Sequence, residues 1–323
     1  MKDNFNAIRL GLSVLVIFSH SFAVLDVTQP DIFDWTAGTY AVQVFFAISG
    51  YFITASWVRN PSLVDFALNR ALRILPGYVA ARLLGRVLFT CFDEYQGNPL
   101  PLTPNNSLWT IPWEATCYAL CAIAGTLGLL TRERYNAIFT VICLLVFLHL
   151  DEQNSDYTLI IPMMLSFLVG GMIFFQEPHT NMKVAALCSL LAIGVITGDR
   201  YLDFLADRLT YIPLMSEKML AQIEHLPIIV ATAFCAIYLG KYAPCRLPLR
   251  QDYSYGMYLY AWPVQQSTVA VASMLGVQLG PYALTGLSIP LTLCLAAVSW
   301  HVIEKPVLRR KRKPAAQAPV TVG

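Results

Sequence analysis

Charge is the scarcest property of this sequence. Of 323 residues only 22 are Lys or Arg and 20 are Asp or Glu, 13% in all, roughly half the charged share of a soluble domain. With 56% of the residues hydrophobic, the chain has too little polar surface to cover itself in water. There is no CxxC, no Gly/Ser linker and no internal repeat, and a net charge of +2 gives no reason to expect a nucleic-acid partner. The eight cysteines fall mostly within apolar runs and read as small buried hydrophobes. Cys117 and Cys121 are one helical turn apart but have no added histidine to complete a metal site. No metal or redox cofactor is required.

What the chain does have is apolar runs near or above the roughly 18 to 20 residues that cross a bilayer. Ten spans are expected: 8–25, 40–58, 74–92, 110–130, 137–150, 157–175, 183–198, 226–240, 253–275 and 282–303. The fold class is therefore all-α, a polytopic transmembrane helix bundle. Residues 1–310 form one membrane-embedded domain, and 311–323 form a basic, then Pro/Ala-rich, disordered tail. The stretch 201–225 is amphipathic and is expected to lie along the outer interface or to fold over the outer mouth. With the N-terminus in the cytoplasm, about 17 of the 22 basic residues fall on inner segments. That asymmetry puts both termini inside. Lys2 and Arg9 before an apolar core, with Ser21-Phe22-Ala23, also match a cleavable signal peptide; the charge distribution argues for an uncleaved first span.

Polar residues on apolar ground mark candidate sites. Arg9 and His20 are eleven residues apart, about 16 Å of helical rise and an offset of about 20°, so they share a face and point into one groove. An ionisable group at the depth of His20 faces a cavity or a partner; a core histidine satisfied by Ser19, Ser21 or a neighbouring helix is the competing reading. The second span is interrupted by Gln43, Ser49, Gly50 and Thr54, where Gly50 allows close approach of a helix or a ligand. Arg70 and Arg73, at i and i+3, can direct both guanidinium forks at one anion, phosphate above all, although the inner side is basic in any case. Arg82 and Arg86 lie deeper and need anionic partners: Glu114, Asp93 or a bound phosphate.

The segment "NSLWTIPWEATCYAL" places Pro112 and Glu114 at a helix start, flanked by Trp109 and Trp113 at interface depth. Glu114 is on the side from which it can meet His20. "DYSYGMYLYAWPVQQ" gathers tyrosines, among them Tyr255 and Tyr258, with Trp262 and two glutamines. Such a cluster can hydrogen-bond a hydroxyl-rich ligand or belt the membrane. His301 near the inner edge reads as structural.

Six of these marks, in order, make the chain resemble the acyltransferase-3 family of integral-membrane acyltransferases, which modify cell-surface carbohydrates. They are Arg9-x10-His20, "FFAISGYF" at 45–52, Arg70-x-x-Arg73 leading into "ILPGY", "SLWTIPWE" at 107–114, "SYGMYLYAWPV" at 254–264 and "VIEKP" at 302–306. The resemblance implies a ten-span bundle in a bacterial cytoplasmic (inner) membrane. It takes an acyl group, usually acetyl, from cytoplasmic acyl-CoA and delivers it to a carbohydrate hydroxyl at the outer face. It also implies that the Arg9–His20 pair serves catalysis and the Arg70–Arg73 pair the acyl-CoA. Many members carry histidine where this chain has Ala261, so that position is given no catalytic role. No extracytoplasmic domain is expected after the last span.

On this reading His20 and Glu114 are the catalytic candidates, with His20 as general base or acyl carrier and Glu114 orienting it. Arg9, Arg70, Arg73, Arg82 and Arg86 are the acyl-CoA candidates. Ser49, Gly50, Trp109, Trp113, Tyr255, Tyr258 and Trp262 are candidates for lining the groove or holding the acceptor. Tyrosine, Ser49, arginine side chains and a second-span backbone N–H all remain candidates for an oxyanion hole. The rival classes are a secondary transporter, which also uses intramembrane His, Arg and Glu, and a polysaccharide export subunit.

Overall fold

The computed structural model describes residues 3–32, 35–92, 104–149, 157–177, 217–247 and 251–309, with positions 181, 183, 187 and 249. These residues are almost entirely helical: α1 (Phe5–Val24), α2 (Ala37–Arg59), α3 (Leu63–Phe92), α4 (Ile111–Thr126), α5 (Arg132–His149), α6 (Tyr157–Gln176), α7 (Glu217–Tyr242), α8 (Ser254–Met274), α9 (Pro281–Ser299) and the short α10 (Lys305–Arg309). A 3-10 turn, Asn106–Thr110, leads into α4, and a π turn, Trp300–Glu304, joins α9 to α10. A small antiparallel hairpin, Asp31–Ile32 with Trp35–Thr36, connects α1 to α2.

Among the described residues five segments are long and apolar enough to cross a membrane: Phe5–Val24, Ala37–Arg59, Leu63–Phe92, Leu159–Gln176 and Pro281–Arg309. The expected seventh span lies largely outside the described residues, as do positions 201–216 of the amphipathic stretch and the tail beyond 309. Residues 217–225 do not form a separate interfacial segment. They begin α7, which continues through Pro227. The third expected span starts earlier than hydropathy suggests, because α3 runs unbroken from Leu63 through Pro76 and so carries Arg70 and Arg73 on a helix.

Lipid is as apolar as leucine, so membrane helices associate through close packing of small residues and interhelical hydrogen bonds. The largest contact is that of α2 with α6. Gly50 sits against the backbone of Phe167, and Gly170 against that of Ala47. Gly50 therefore serves a helix crossing and lines no groove. Gln265 donates to the Ile17 carbonyl at 2.8 Å and to Ser21 Oγ at 2.7 Å, tying α8 to α1. Glu177 accepts from Tyr51 and Lys241, each at 2.5 Å, and from Tyr242, clamping the ends of α2, α6 and α7. Burial alone would raise the Glu177 carboxyl; the Lys241 bond, with the two tyrosines, outweighs it and holds the group below its ordinary value.

The cysteines are less uniformly buried than expected. Cys117 and Cys121 are buried, Cys143 and Cys235 are intermediate, and Cys91, Cys245 and Cys294 are exposed. On a lipid-facing helix an apolar run needs no burial inside the protein, so hydropathy alone could not tell the two apart.

Candidate active site

Among the described residues, two cavities bear on the candidate site. The larger, about 560 Å³, is lined by α1, α2, α3, α4, α8, the turn at Trp300 and α10, a size usual for a small-molecule site. Four arginines line it, Arg9, Arg59, Arg70 and Arg73, against two carboxylates, Glu114 and Asp252. The wall thus carries an excess of positive charge suited to an anion. Asp252, between α7 and α8, accepts from Arg73 at 2.5 Å and lies 3.5 Å from Arg9. It also accepts from Ser254 Oγ at 2.5 Å and from the Ser254 amide at 3.3 Å. Burial by itself would raise its carboxyl, but Arg73 and then Arg9 hold it below the ordinary aspartate value.

Arg70 is differently placed. It packs over the Phe66 ring at 5.9 Å, and its buried Nε has no hydrogen-bond partner among the described residues. So of the five arginines expected to meet the donor, Arg73 and Arg9 share Asp252, while Arg70 keeps a buried donor with no partner among the described residues. Arg82 and Arg86, also expected at the donor site, are exposed on α3 and do not line the cavity; Arg82 bonds Tyr78 at 3.0 Å. The α3 helix continues past the cavity, and its next turns carry these two side chains outward.

Deeper in the larger cavity Ser49 donates to Glu114 at 3.0 Å, and Tyr118 donates to the same carboxylate oxygen. Glu114 is therefore not beside His20, where the sequence reading put it. The cause is the segment before α4, which enters the bundle instead of staying at its rim: Asn105 donates to the Leu259 carbonyl at 2.8 Å, and Thr110 bonds the Tyr258 hydroxyl at 2.6 Å. Glu114, one turn into α4, is carried to the arginine-lined side. Tyr255, whose hydroxyl donates to the Ile74 carbonyl at 2.8 Å, and Tyr258 line the same cavity.

The smaller cavity, about 180 Å³, lies beyond. His20 lines it with Trp109 and the hydroxyl-bearing Ser19, Thr36 and Thr39. Ser19 donates to Gln29 Oε1 at 2.6 Å, and the Thr36 and Thr39 hydroxyls are 3.0 Å apart. Nδ1 of His20 is buried with no partner among the described residues, and its ring meets Trp262 edge-on at 5.1 Å. Ser19 and Ser21 are turned elsewhere, so neither satisfies it. Trp262 is fully buried behind the histidine and lines neither cavity, and Trp113 packs against the apolar cluster around Phe46 and Phe167. Arg9 and His20 both point inward as their spacing predicts, but into two cavities rather than one groove.

Sequence reasoning missed Asp252, Arg59, Tyr118 and Gln29. Asp252 had a detectable signal: it is the one acidic residue in "KYAPCRLPLRQDYS", on the segment assigned to the same side as Arg70 and Arg73. Among the described residues no cluster of His, Cys, Asp or Glu could hold a metal ion.

A family model described as an acyltransferase domain matches residues 2–301. The chain is 28% identical to a protein named O-acetyl transferase from Shigella phage Sf6, over 96% of this chain and 97% of that one. It is 24% identical to Nodulation protein 10 of Rhizobium leguminosarum bv. viciae, over 98% of this chain and 96% of that one. No solved structure matches. With nearly its whole length inside the family model, and with the motifs that led to the same family, this chain belongs to the acyltransferase-3 family of membrane acyltransferases.

Proposed function

We propose that the protein transfers an acyl group, acetyl in the simplest case, from acyl-CoA to a hydroxyl of an extracytoplasmic or lipid-linked carbohydrate such as exopolysaccharide or O-antigen. The observation that carries this reading is the arrangement of the two cavities: the arginine-lined one and the one holding His20 share the side chains of Val42 and Tyr258. A donor held by its phosphates among the arginines can bring its thioester up to the imidazole. Arg70, with its uncommitted Nε, binds phosphate. Arg73 and Arg9 are aligned by Asp252 and supply field.

His20 takes the proton of the acceptor hydroxyl as its oxygen attacks the thioester carbonyl. The C–S bond breaks, and the leaving thiolate recovers the proton from the imidazolium. Trp262 packs edge-on against the ring and holds its orientation. Donor entry at the Arg9 end fits a ten-span chain with both termini in the cytoplasm, because the basic residues concentrate on that side. The cytoplasmic membrane of a bacterium, where acyl-CoA meets one face and surface carbohydrate the other, is the matching location. The relative from Shigella phage Sf6, named for O-acetyl transfer, supports the chemistry.

Purified protein incubated with labelled acetyl-CoA and envelope carbohydrate should release CoA and label the carbohydrate. A carrier or an export subunit gives neither. CoA release that does not depend on the carbohydrate would refute the assigned acceptor class.

A further inference from the structure

Two side chains belong to both cavities. Val42 of α2 and Tyr258 of α8 line the arginine side and the histidine side alike, and Val42 packs against the apolar cluster of which Tyr258 is part. Both are fixed. Tyr258 is 8% exposed, its hydroxyl is 2.6 Å from Thr110 Oγ1, and its ring meets Phe45 at 6.2 Å. Val42 is β-branched on a helix, which leaves it one strongly preferred rotamer. The chemistry differs on the two sides: guanidinium groups and carboxylates on one, His20 and the Ser19, Thr36 and Thr39 hydroxyls on the other.

We propose that Val42 and Tyr258 form a size selector for the acyl group, admitting a short acyl chain to His20 and turning back longer ones. This rests on the acyl-transfer reading above. A CoA anchored by its phosphates leaves its nucleotide and most of its pantetheine in the larger cavity, and only the acyl end has to pass the wall. Beyond the wall, about 180 Å³ must hold that acyl end beside the imidazole and the incoming hydroxyl. Each further methylene lies against Val42, against the Tyr258 ring, or in space the acceptor needs. Close-packed interiors do not absorb an added methylene without displacement. The wall takes no part in the bond changes: the acceptor proton goes to His20 and then to the departing sulfur, the C–O ester forms and the C–S bond breaks. Val42 and Tyr258 are therefore specificity-determining, not catalytic.

The test compares kcat/KM for acetyl-, propionyl-, butyryl- and hexanoyl-CoA, read as CoA release with envelope carbohydrate as acceptor. One methylene in a well-fitted apolar site is worth about 10- to 200-fold in discrimination. Wild type should lose at least about tenfold at one step of this series. Val42→Ala should move that step to a longer chain, raising the butyryl-to-acetyl ratio by about tenfold, and Val42→Ile should move it to a shorter one. Tyr258→Phe, which frees the ring from Thr110, should soften the step. If wild type releases CoA from none of the four, the acyl-transfer reading itself fails. If wild type turns over but the three variants keep its chain-length profile, the selector fails and the transfer reading stands. Complete loss of turnover in all three variants also overturns it, since a selector alters preference among donors and leaves the reaction in place.

Discussion

Arg73 Nη2 lies 2.5 Å from Oδ2 of Asp252, joining α3 to the entrance of α8 across 179 residues of sequence. Arg9 reaches the same oxygen at 3.5 Å. One carboxylate thus sets the position of two arginines lining the larger cavity, and the Nε of a third, Arg70, has no partner among the described residues.

Asp252→Asn should lower stability in detergent by about 1.5–3 kcal/mol, the range for hydrogen bonds to charged groups. The pair also predicts a pH dependence. The folded-state pKa of Asp252 is depressed, so its contribution is complete above the ordinary aspartate value near about 4 and is lost as pH falls through the depressed one. The stability gap between wild type and Asp252→Asn, measured by thermal unfolding at successive pH values, should close on acidification and stay constant from pH 6 to 8.

Arg70→Ala should raise the KM for acyl-CoA by about 5- to 150-fold, with kcat recovered at saturation, because the same contact holds the donor in ground and transition states. Arg70→Lys should recover only part of this, since the fork is lost although the charge stays. Arg82→Ala and Arg86→Ala should leave the KM within about twofold, as both side chains are exposed and outside the cavity. Donor titrations at matched protein levels decide it. Equal effects from Arg70 and Arg86 would remove the assignment.

His20→Ala should lower acyl transfer by about 10²- to 10⁴-fold, the usual range for a general base, with the protein still inserted. His301 is exposed, with Nδ1 2.8 Å from the Ala297 carbonyl. His301→Ala should turn over at the wild-type rate in the same assay. Near-normal turnover by His20→Ala would return that histidine to a packing role.

Glu114→Gln separates the two carboxylate placements. The carboxylate accepts from Ser49 and Tyr118 on the arginine-lined side, so glutamine should weaken donor binding and leave the pH–rate profile unmoved. A displaced limb in the pH dependence of kcat would show that Glu114 reaches His20 during turnover.

Gly50→Ala places a methyl on the Phe167 backbone, which has no rotamer with which to yield. Overpacking of this kind costs about 1–3 kcal/mol. Folded yield and thermal stability in detergent should fall, while any active fraction keeps the wild-type KM for donor.

Hydropathy, a sum over some twenty consecutive residues, is a local property, and the features that depend on it were legible. α2, α6 and α8 start and end within a few residues of their expected limits. The start of α3 was not, because Asp65, Asn69, Arg70 and Arg73 make residues 63–73 too polar for a span although they continue the same helix through Pro76. The entry of Asn105–Thr110 into the bundle was equally hidden. Its cause is two hydrogen bonds to α8, about 150 residues away, and nothing in its own composition requires them.

By itself the sequence determined that this chain is a helical membrane protein of the acyltransferase-3 family, and that Arg9 and His20 share a helix face. The first follows from apolar run lengths and from six short motifs that resemble the family in order along the chain, the second from the spacing of two residues on one helix. Only the tertiary structure decided that Asp252 holds Arg9 and Arg73, that Glu114 faces the arginines and not His20, and that Val42 and Tyr258 line both the arginine-lined cavity and the one holding His20. Each of these depends on how far one helix is rotated and shifted against another. That is set by small-residue contacts such as Gly50 on Phe167 and by bonds spanning up to 264 residues among the described residues, for which no local pattern exists.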